Sequence, residues 1–141
     1  MEYSAHMSTT VTIHEGGMRC RTIWEPSGQE CSTDVAASTG GKGEFPTPVA
    51  MLTASVASCM LSMIAWTGKS KNFDTKGISI ESGYENNEQG KIAALTFLVT
   101  VPFAVTPVVA KMMQAAAAHC PVGALISPEV EKKITWNWFK D

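Results

Sequence analysis

The sequence predicts an α+β fold, with mainly antiparallel sheet built around two long helices. Three observations carry this. Strand-like segments come in groups: three before the first long helical segment, two between the helical segments and one after the second. A hairpin separates the two helical segments where a doubly wound parallel sheet would have a single crossover strand. The chain, at 141 residues, suits one domain with one core and leaves little room for a second. The predicted order is βββ-α-ββ-α-β over a single domain, 1–141, with residues 1–10 a flexible N-terminus.

The elements follow in turn. Thr9 to Ile13 alternates and reads as a short strand, and Glu15-Gly16-Gly17 is a turn signal. Arg19 to Trp24 is rich in strand formers, Glu25-Pro26-Ser27-Gly28 turns the chain, and Gln29 to Ala36 returns it. Ser38 to Pro48 is a loop carrying Gly40, Gly41, Gly43, Pro46 and Pro48. Thr47-Pro48 then supplies an N-cap followed by proline at the first helical position. The helix it opens runs to about Thr67 and ends at Gly68-Lys69, with Lys69 and Lys71 at its negative end. Gly77 to Tyr84 alternates as a half-buried strand, Asn86 to Gly90 is a polar hairpin loop, and Ile92 to Val101 is the return strand. Thr106-Pro107 repeats the cap-and-proline signature for a helix to about His119. Ile134 to Phe139 closes the chain as an aromatic strand.

Composition narrows the function classes. Hydrophobic residues make up 45% and charged residues 17%, the balance of a globular chain. A net charge of −2 and no cluster of Lys and Arg beyond Lys132-Lys133 argue against a nucleic-acid partner. Met1 to Thr10 lacks the basic and apolar regions of a signal peptide. Pro48 to Trp66 is uncharged and nearly long enough to span a bilayer, but its serines, threonine and leading proline favour a buried helix in a soluble core over a membrane partner. Among Cys20, Cys31, Cys59 and Cys120 there is no Cys-x-x-Cys, and His6, His14 and His119 are scattered, so no metal site is expected. No cofactor is expected either. With no signal peptide the thiols are expected reduced, which makes any disulfide catalytic rather than structural.

Cys59 and Cys120 attract attention. Cys59 lies in the middle of the long apolar helix, with Ser55, Val56, Ser62 and Met63 one turn away and Leu52 and Trp66 a further turn out. On such a face a cysteine is more often a packing residue than a nucleophile. Cys120 ends the second helix in Ala118-His119-Cys120-Pro121-Val122, where proline fixes a turn. Only tertiary structure can bring the two together. Cys20 and Cys31 lie on two arms of one hairpin. A register pairing Trp24 with Gln29 sets Thr22 opposite Cys31, leaves Cys20 diagonal to it, and makes both free thiols.

Thr47 to Cys59, a proline followed by a Leu/Ala/Ser-rich run ending in cysteine, resembles the first motif of the OsmC/Ohr family. His119-Cys120-Pro121 resembles the second, and the glycine loop from Gly40 to Pro48 and the order of elements are also similar. The resemblance runs from about Thr12 to Trp138. It implies an OsmC-like intertwined homodimer with active sites at the subunit interface, acting in the cytoplasm as a peroxiredoxin-like antioxidant enzyme. In that reading Cys59 thiolate attacks a hydroperoxide, typically an organic one. Cys120 resolves the resulting sulfenic acid as a disulfide, and an external dithiol restores the pair.

A buried thiol needs a cation to favour its thiolate. The resemblance gives that role to Arg19, displaced by one residue from the family arginine that follows a glycine pair. Arg21 shares its strand face, and both could instead be solvated strand charges. Met63 and Trp66 are candidate pocket walls, although such a stripe is more often core. His119 is a candidate proton donor, although a surface histidine at a helix end is the commoner reading. The chain departs from Ohr-type members where they carry an arginine-binding glutamate just after the helix-opening proline, for here stand Val49 and Ala50. Glu44 is the nearest carboxylate, and it is not expected to take over. The departure favours a divergent OsmC-like member over a close Ohr. It also motivates a rival reading, a non-catalytic module binding an apolar small molecule.

Overall fold

The computed structural model describes residues 9–141. The expected flexible N-terminus therefore falls, as far as residue 8, outside the described residues. The chain divides into two compact units, Met1–Met51 and Leu52–Asp141.

The first unit is an antiparallel meander of β1 (Thr10–His14), β2 (Cys20–Trp24) and β3 (Gln29–Thr33). Gly16 and Gly17 turn the first hairpin at φ +100° and +55°, a backbone open to glycine at no steric cost. Trp24 pairs with Gln29 and Thr22 with Cys31, the register expected from the sequence, and Cys20 and Cys31 are free thiols on a diagonal. β3 stops at Thr33, three residues short of expectation. Asp34 leaves the ladder to accept hydrogen bonds from the following loop. Thr47 caps α1 (Pro48–Lys71), its Oγ1 accepting from Ala50 N at 3.2 Å.

The second unit holds most of α1 and the strands β4 (Ser79–Asn86), β5 (Ile92–Val101) and β6 (Glu131–Trp138), with α2 (Pro107–Ala118) between the last two. Strand order is β4-β5-β6: β4 runs antiparallel to β5, and β6 runs parallel to it because α2 carries the chain back across the sheet. Inner-face residues Leu95, Phe97, Val99 and Val101 of β5 are at most 1% exposed, as the middle strand of a half-covered sheet should be. They share one core with Val56, Met60 and Ile64 of α1 and Met113, Ala116 and Ala117 of α2.

Three expectations need correction. α1 is largely apolar, yet the core takes only one stripe, Thr53, Val56, Ala57, Met60, Ile64 and Gly68. Leu52 and Trp66, on other faces, stay 43% and 68% exposed, so the helix is buried on one side rather than throughout. By length and composition alone it could cross a membrane. Its exposed serines survive in a helix because Ser58 and Ser62 donate to the carbonyls four residues back, at 2.8 Å each. Second, α1 continues past Gly68 to Lys71 and ends at Asn72, whose φ of +62° is the left-handed stop. Gly68 serves packing instead: a Cβ there would come within 2.7 Å of Phe73 O and Thr75 Cγ2. Third, β6 begins at Glu131, before the expected Ile134, because its charged start pairs with β5 from Ala94 onward. Trp136 and Trp138 stack within it at 4.8 Å.

Candidate functional site

α2 places Cys120. Its last turn closes at His119, whose N–H reaches the carbonyls of Ala115 and Ala116, and Pro121 cannot continue the helix. The chain turns through a short 3-10 segment, Gly123–Leu125, and Cys120 swings into the core at 4% exposure. There its Sγ lies 3.8 Å from the Val56 carbonyl of α1 and accepts from Gly123 N at 3.3 Å. The thiol of Cys59, half-buried one turn along α1 from Val56, is its side-chain neighbour. Tertiary packing thus brings the two sequence-distant cysteines together, both as free thiols. A cavity of about 30 Å³ lies beside Cys120, walled by Val56, Met60, Phe97, Ala117, Lys132 and Ile134 among others.

The electrostatics of the pair are asymmetric. Burial first, then the Cys59 thiol, push Cys120 above the ordinary thiol range, while the N–H groups of Gly123 and Val122 pull it partly back. The sign of the linkage follows. Below the unfolded thiol pKa, about 8.5, folded and unfolded states are both protonated at Cys120 and it adds no pH dependence. Above that value the unfolded state releases its proton first, so stability falls as pH rises towards the folded pKa. Urea unfolding between pH 7.5 and 10 should show this decline, and Cys120→Ala should flatten it.

The other candidates are distributed more widely. Met63 is half-buried against the core, whereas Trp66 lies largely in solvent. His119 is exposed, and its Nδ1 donates to Ala115 O at 2.7 Å.

Arg19 belongs to the first unit and is tightly engaged there. Its Nη2 lies 2.7 Å from Glu44 Oε2 and 3.5 Å from Asp34 Oδ2, and the guanidinium stacks 4.6 Å over the Phe45 ring. Glu44 therefore does pair with the arginine, contrary to expectation, because the glycine loop folds back on β2. Asp34 is the firmer anchor. It is 2% exposed and accepts from the N–H groups of Val35, Lys42 and Glu44. The Val35 bond foremost, with Arg19 among the others, holds its carboxyl below the usual range against the opposing effect of burial. Gly41 permits this fold-back, since a Cβ there would collide with the Val35 carbonyl and sit 2.6 Å from Asp34 Oδ1. Arg21 differs: its Nε donates to Glu15 at 3.1 Å and its Nη1 to Glu30 at 2.8 Å, an ion-paired surface cation. Arg19 Nε is buried with no hydrogen-bond partner among the described residues.

Sequence reasoning passed over Asp34 and Phe45. The available signal at Asp34 was an aspartate, a poor strand former, inside a segment read as strand.

Comparison with known proteins gives a consistent picture. The family model for OsmC-like protein matches residues 41–135, a span that includes both Cys59 and Cys120. A crystal structure from Psychrobacter arcticus, of a protein named for osmotic stress induction and detoxification response, superposes with a TM-score of 0.89 at 26% identity, covering 96% of this chain and 100% of that one. An organic hydroperoxide resistance protein OsmC from Legionella pneumophila gives 0.70 at 18% identity, covering 94% and 98%. The organic hydroperoxide resistance protein OhrB of Bacillus subtilis gives 0.64 at 18%, covering 92% and 98%; these two likenesses speak to fold alone. No curated protein sequence matches the chain.

Proposed function

The chain belongs to the OsmC-like protein family, and from that premise we propose that it reduces hydroperoxides, preferably organic ones, through Cys59 and Cys120. The single observation that carries the reading is the burial of Cys120 against α1 beside Cys59. Peroxide-related activity is in keeping with the hydroperoxide resistance for which the Legionella and Bacillus proteins are named.

In the proposed cycle Cys59 thiolate attacks the distal peroxide oxygen. The O–O bond breaks, alcohol leaves and takes up a proton, and Cys59 becomes a sulfenic acid. Cys120 thiolate then attacks that sulfur. The S–S bond forms as the S–O bond breaks, and hydroxide leaves as water. An external dithiol reduces the disulfide by exchange. The half-burial of Cys59 suits the first step, since peroxide must reach it. The burial of Cys120 suits the second, since it keeps the resolving thiol away from other electrophiles.

Arg19 is the proposed thiolate-activating cation. Its unpartnered Nε supports it over Arg21, whose Nε is taken up by Glu15. Asp34 and Glu44 supply the carboxylates that Val49 and Ala50 cannot, which removes the main reason for preferring a non-catalytic apolar-ligand module. Met63 and Trp66 are proposed to receive the organic tail, with His119, which adjoins Cys120 in sequence, as a proton donor. Homodimerisation in the cytoplasm completes the reading. The exposed Leu52 and Trp66 of α1 are apolar surface that a second copy would cover, and sedimentation should then report twice 15.1 kDa.

Stopped-flow oxidation of the reduced protein tests the reading. Cumene hydroperoxide should oxidise Cys59 faster than hydrogen peroxide does, and Arg19→Ala should slow the reaction by about 10²-fold, the scale of one lost electrostatic contact to a reacting group. Equal rates for both oxidants, with no effect of Arg19→Ala, would remove the assignment.

A further inference from the structure

Positions 132, 134, 136 and 138 of β6 share the strand face whose partners on β5 are Leu95, Phe97, Val99 and Val101. Three of the four are Ile134, Trp136 and Trp138. The fourth is Lys132, exposed at the charged start of the strand and the one charged residue among these four positions. Its neighbour Lys133, on the outer face, has an ordinary surface partner in Glu85 at 2.7 Å.

The lysine has a defined contact. Lys132 Nζ donates to the Gly123 carbonyl at 2.8 Å, and its stem helps wall the cavity beside Cys120. Gly123 in turn donates its N–H to Cys120 Sγ at 3.3 Å. A Cβ built on Gly123 would find Cys120 Sγ at 3.7 Å and Lys132 Cδ at 3.8 Å, so the three residues meet at one point. The turn from Cys120 to Gly123 has few other ties. Ala124 N bonds back to Cys120 O, Leu125 N to Val122 O and Ile126 N to Gly123 O, all local, while Cys120 Sγ reaches the Val56 carbonyl of α1. Lys132 is the side-chain bond that fastens this turn to the sheet.

We propose that Lys132 is a positioning residue for the resolving thiol, clamping Gly123 so that its N–H stays aimed at the Cys120 sulfur when that sulfur becomes an anionic nucleophile. This rests on the peroxidase reading for its role in turnover, but the clamp itself does not depend on that reading. The groups around Cys120 sort simply. Cys59 of α1 is its titratable neighbour, Lys132 of β6 reaches it only through Gly123, and His119 at the end of α2 is turned to Ala115 O. A carbonyl held by an ammonium keeps its residue fixed, and a fixed N–H favours thiolate more than a mobile one does. The Gly123 N–H does act on Cys120 in that direction.

The test has two arms, both read at the Cys120 peptide by mass spectrometry so that Cys20 and Cys31 do not interfere. In a Cys59→Ser background, the rate of iodoacetamide labelling against pH gives the Cys120 pKa without any peroxide. In otherwise wild-type protein, one equivalent of cumene hydroperoxide gives the ratio of disulfide formation to Cys59 oxidation. Lys132→Met keeps the stem and removes the ammonium. It should raise the Cys120 pKa and lower the ratio by roughly tenfold, the scale of one lost bond to a charged group, while Lys132→Arg restores both. Lys132→Gln serves as a second neutral variant should the methionine form fail to fold. A wild-type pKa in the neutral variants, or equal behaviour of Arg and Met, would overturn the clamp. Resistance of Cys59 to peroxide would overturn the peroxidase reading and leave the first arm to decide the clamp.

Discussion

Cys59→Ser should abolish hydroperoxide turnover, lowering it by about 10³-fold or more to the level of free thiols in solution, because no other thiol of this chain combines access with a partner. Cys120 is 4% exposed, and Cys20 and Cys31 lie on the separate meander. Cys120→Ser should behave differently. It should retain the first oxidation and fail at the second, so that a sulfenic acid accumulates on Cys59 and proceeds to sulfinic acid with excess peroxide. A dimedone adduct on the Cys59 peptide in Cys120→Ser, and its absence in Cys59→Ser, separates the two roles. If the two variants lost activity to the same extent, with no adduct in either, the division into attacking and resolving thiol would be wrong.

Phe97→Ala should be the most damaging change in the core. Phe97 stands at the centre of β5, 1% exposed, between Ser82 of β4 and Ile134 of β6. Truncation removes a buried ring and leaves a void that the rigid sheet cannot collapse into, at a cost of about 3–5 kcal/mol. That is a large share of the roughly 5–15 kcal/mol that holds a domain folded. Phe97 also walls the cavity beside Cys120, so the void opens directly onto the Cys120 thiol. Urea denaturation should show a markedly lower midpoint at unchanged slope, and iodoacetamide should label Cys120 faster than in wild type. A loss below about 1 kcal/mol would mean that the sheet repacks far more readily than its burial suggests.

How much of this was legible in the sequence depended on whether local chemistry or tertiary contact decided each feature. Ile92 to Val101 and the two Thr-Pro helix starts came through because branched residues, caps and proline act locally. The end of α1 did not: Gly68 carried a stop signal that the packing of Phe73 and Thr75 converted into a close contact. The start of β6 was hidden because Glu131, Lys132 and Lys133 read as loop until β5 supplies the ladder. The cysteine pair was legible as two motifs, but their meeting was not, since nothing local tells α2 which way to turn Cys120. The support of Arg19 was the least legible. A glutamate was sought at Val49 and Ala50, whereas the carboxylates came from Asp34 at the end of β3 and Glu44 in the loop, joined only when the chain folds back through Gly41.

The central claim is that Cys59 and Cys120 form one redox pair, and peptide mapping after oxidation tests it most directly. Reduced protein treated with one equivalent of cumene hydroperoxide, alkylated and digested without reductant, should yield a single cross-linked species joining the Cys59 and Cys120 peptides. Cys20 and Cys31 should remain fully alkylated. Recovery of Cys59 and Cys120 as alkylated free thiols after the peroxide is consumed would contradict the account.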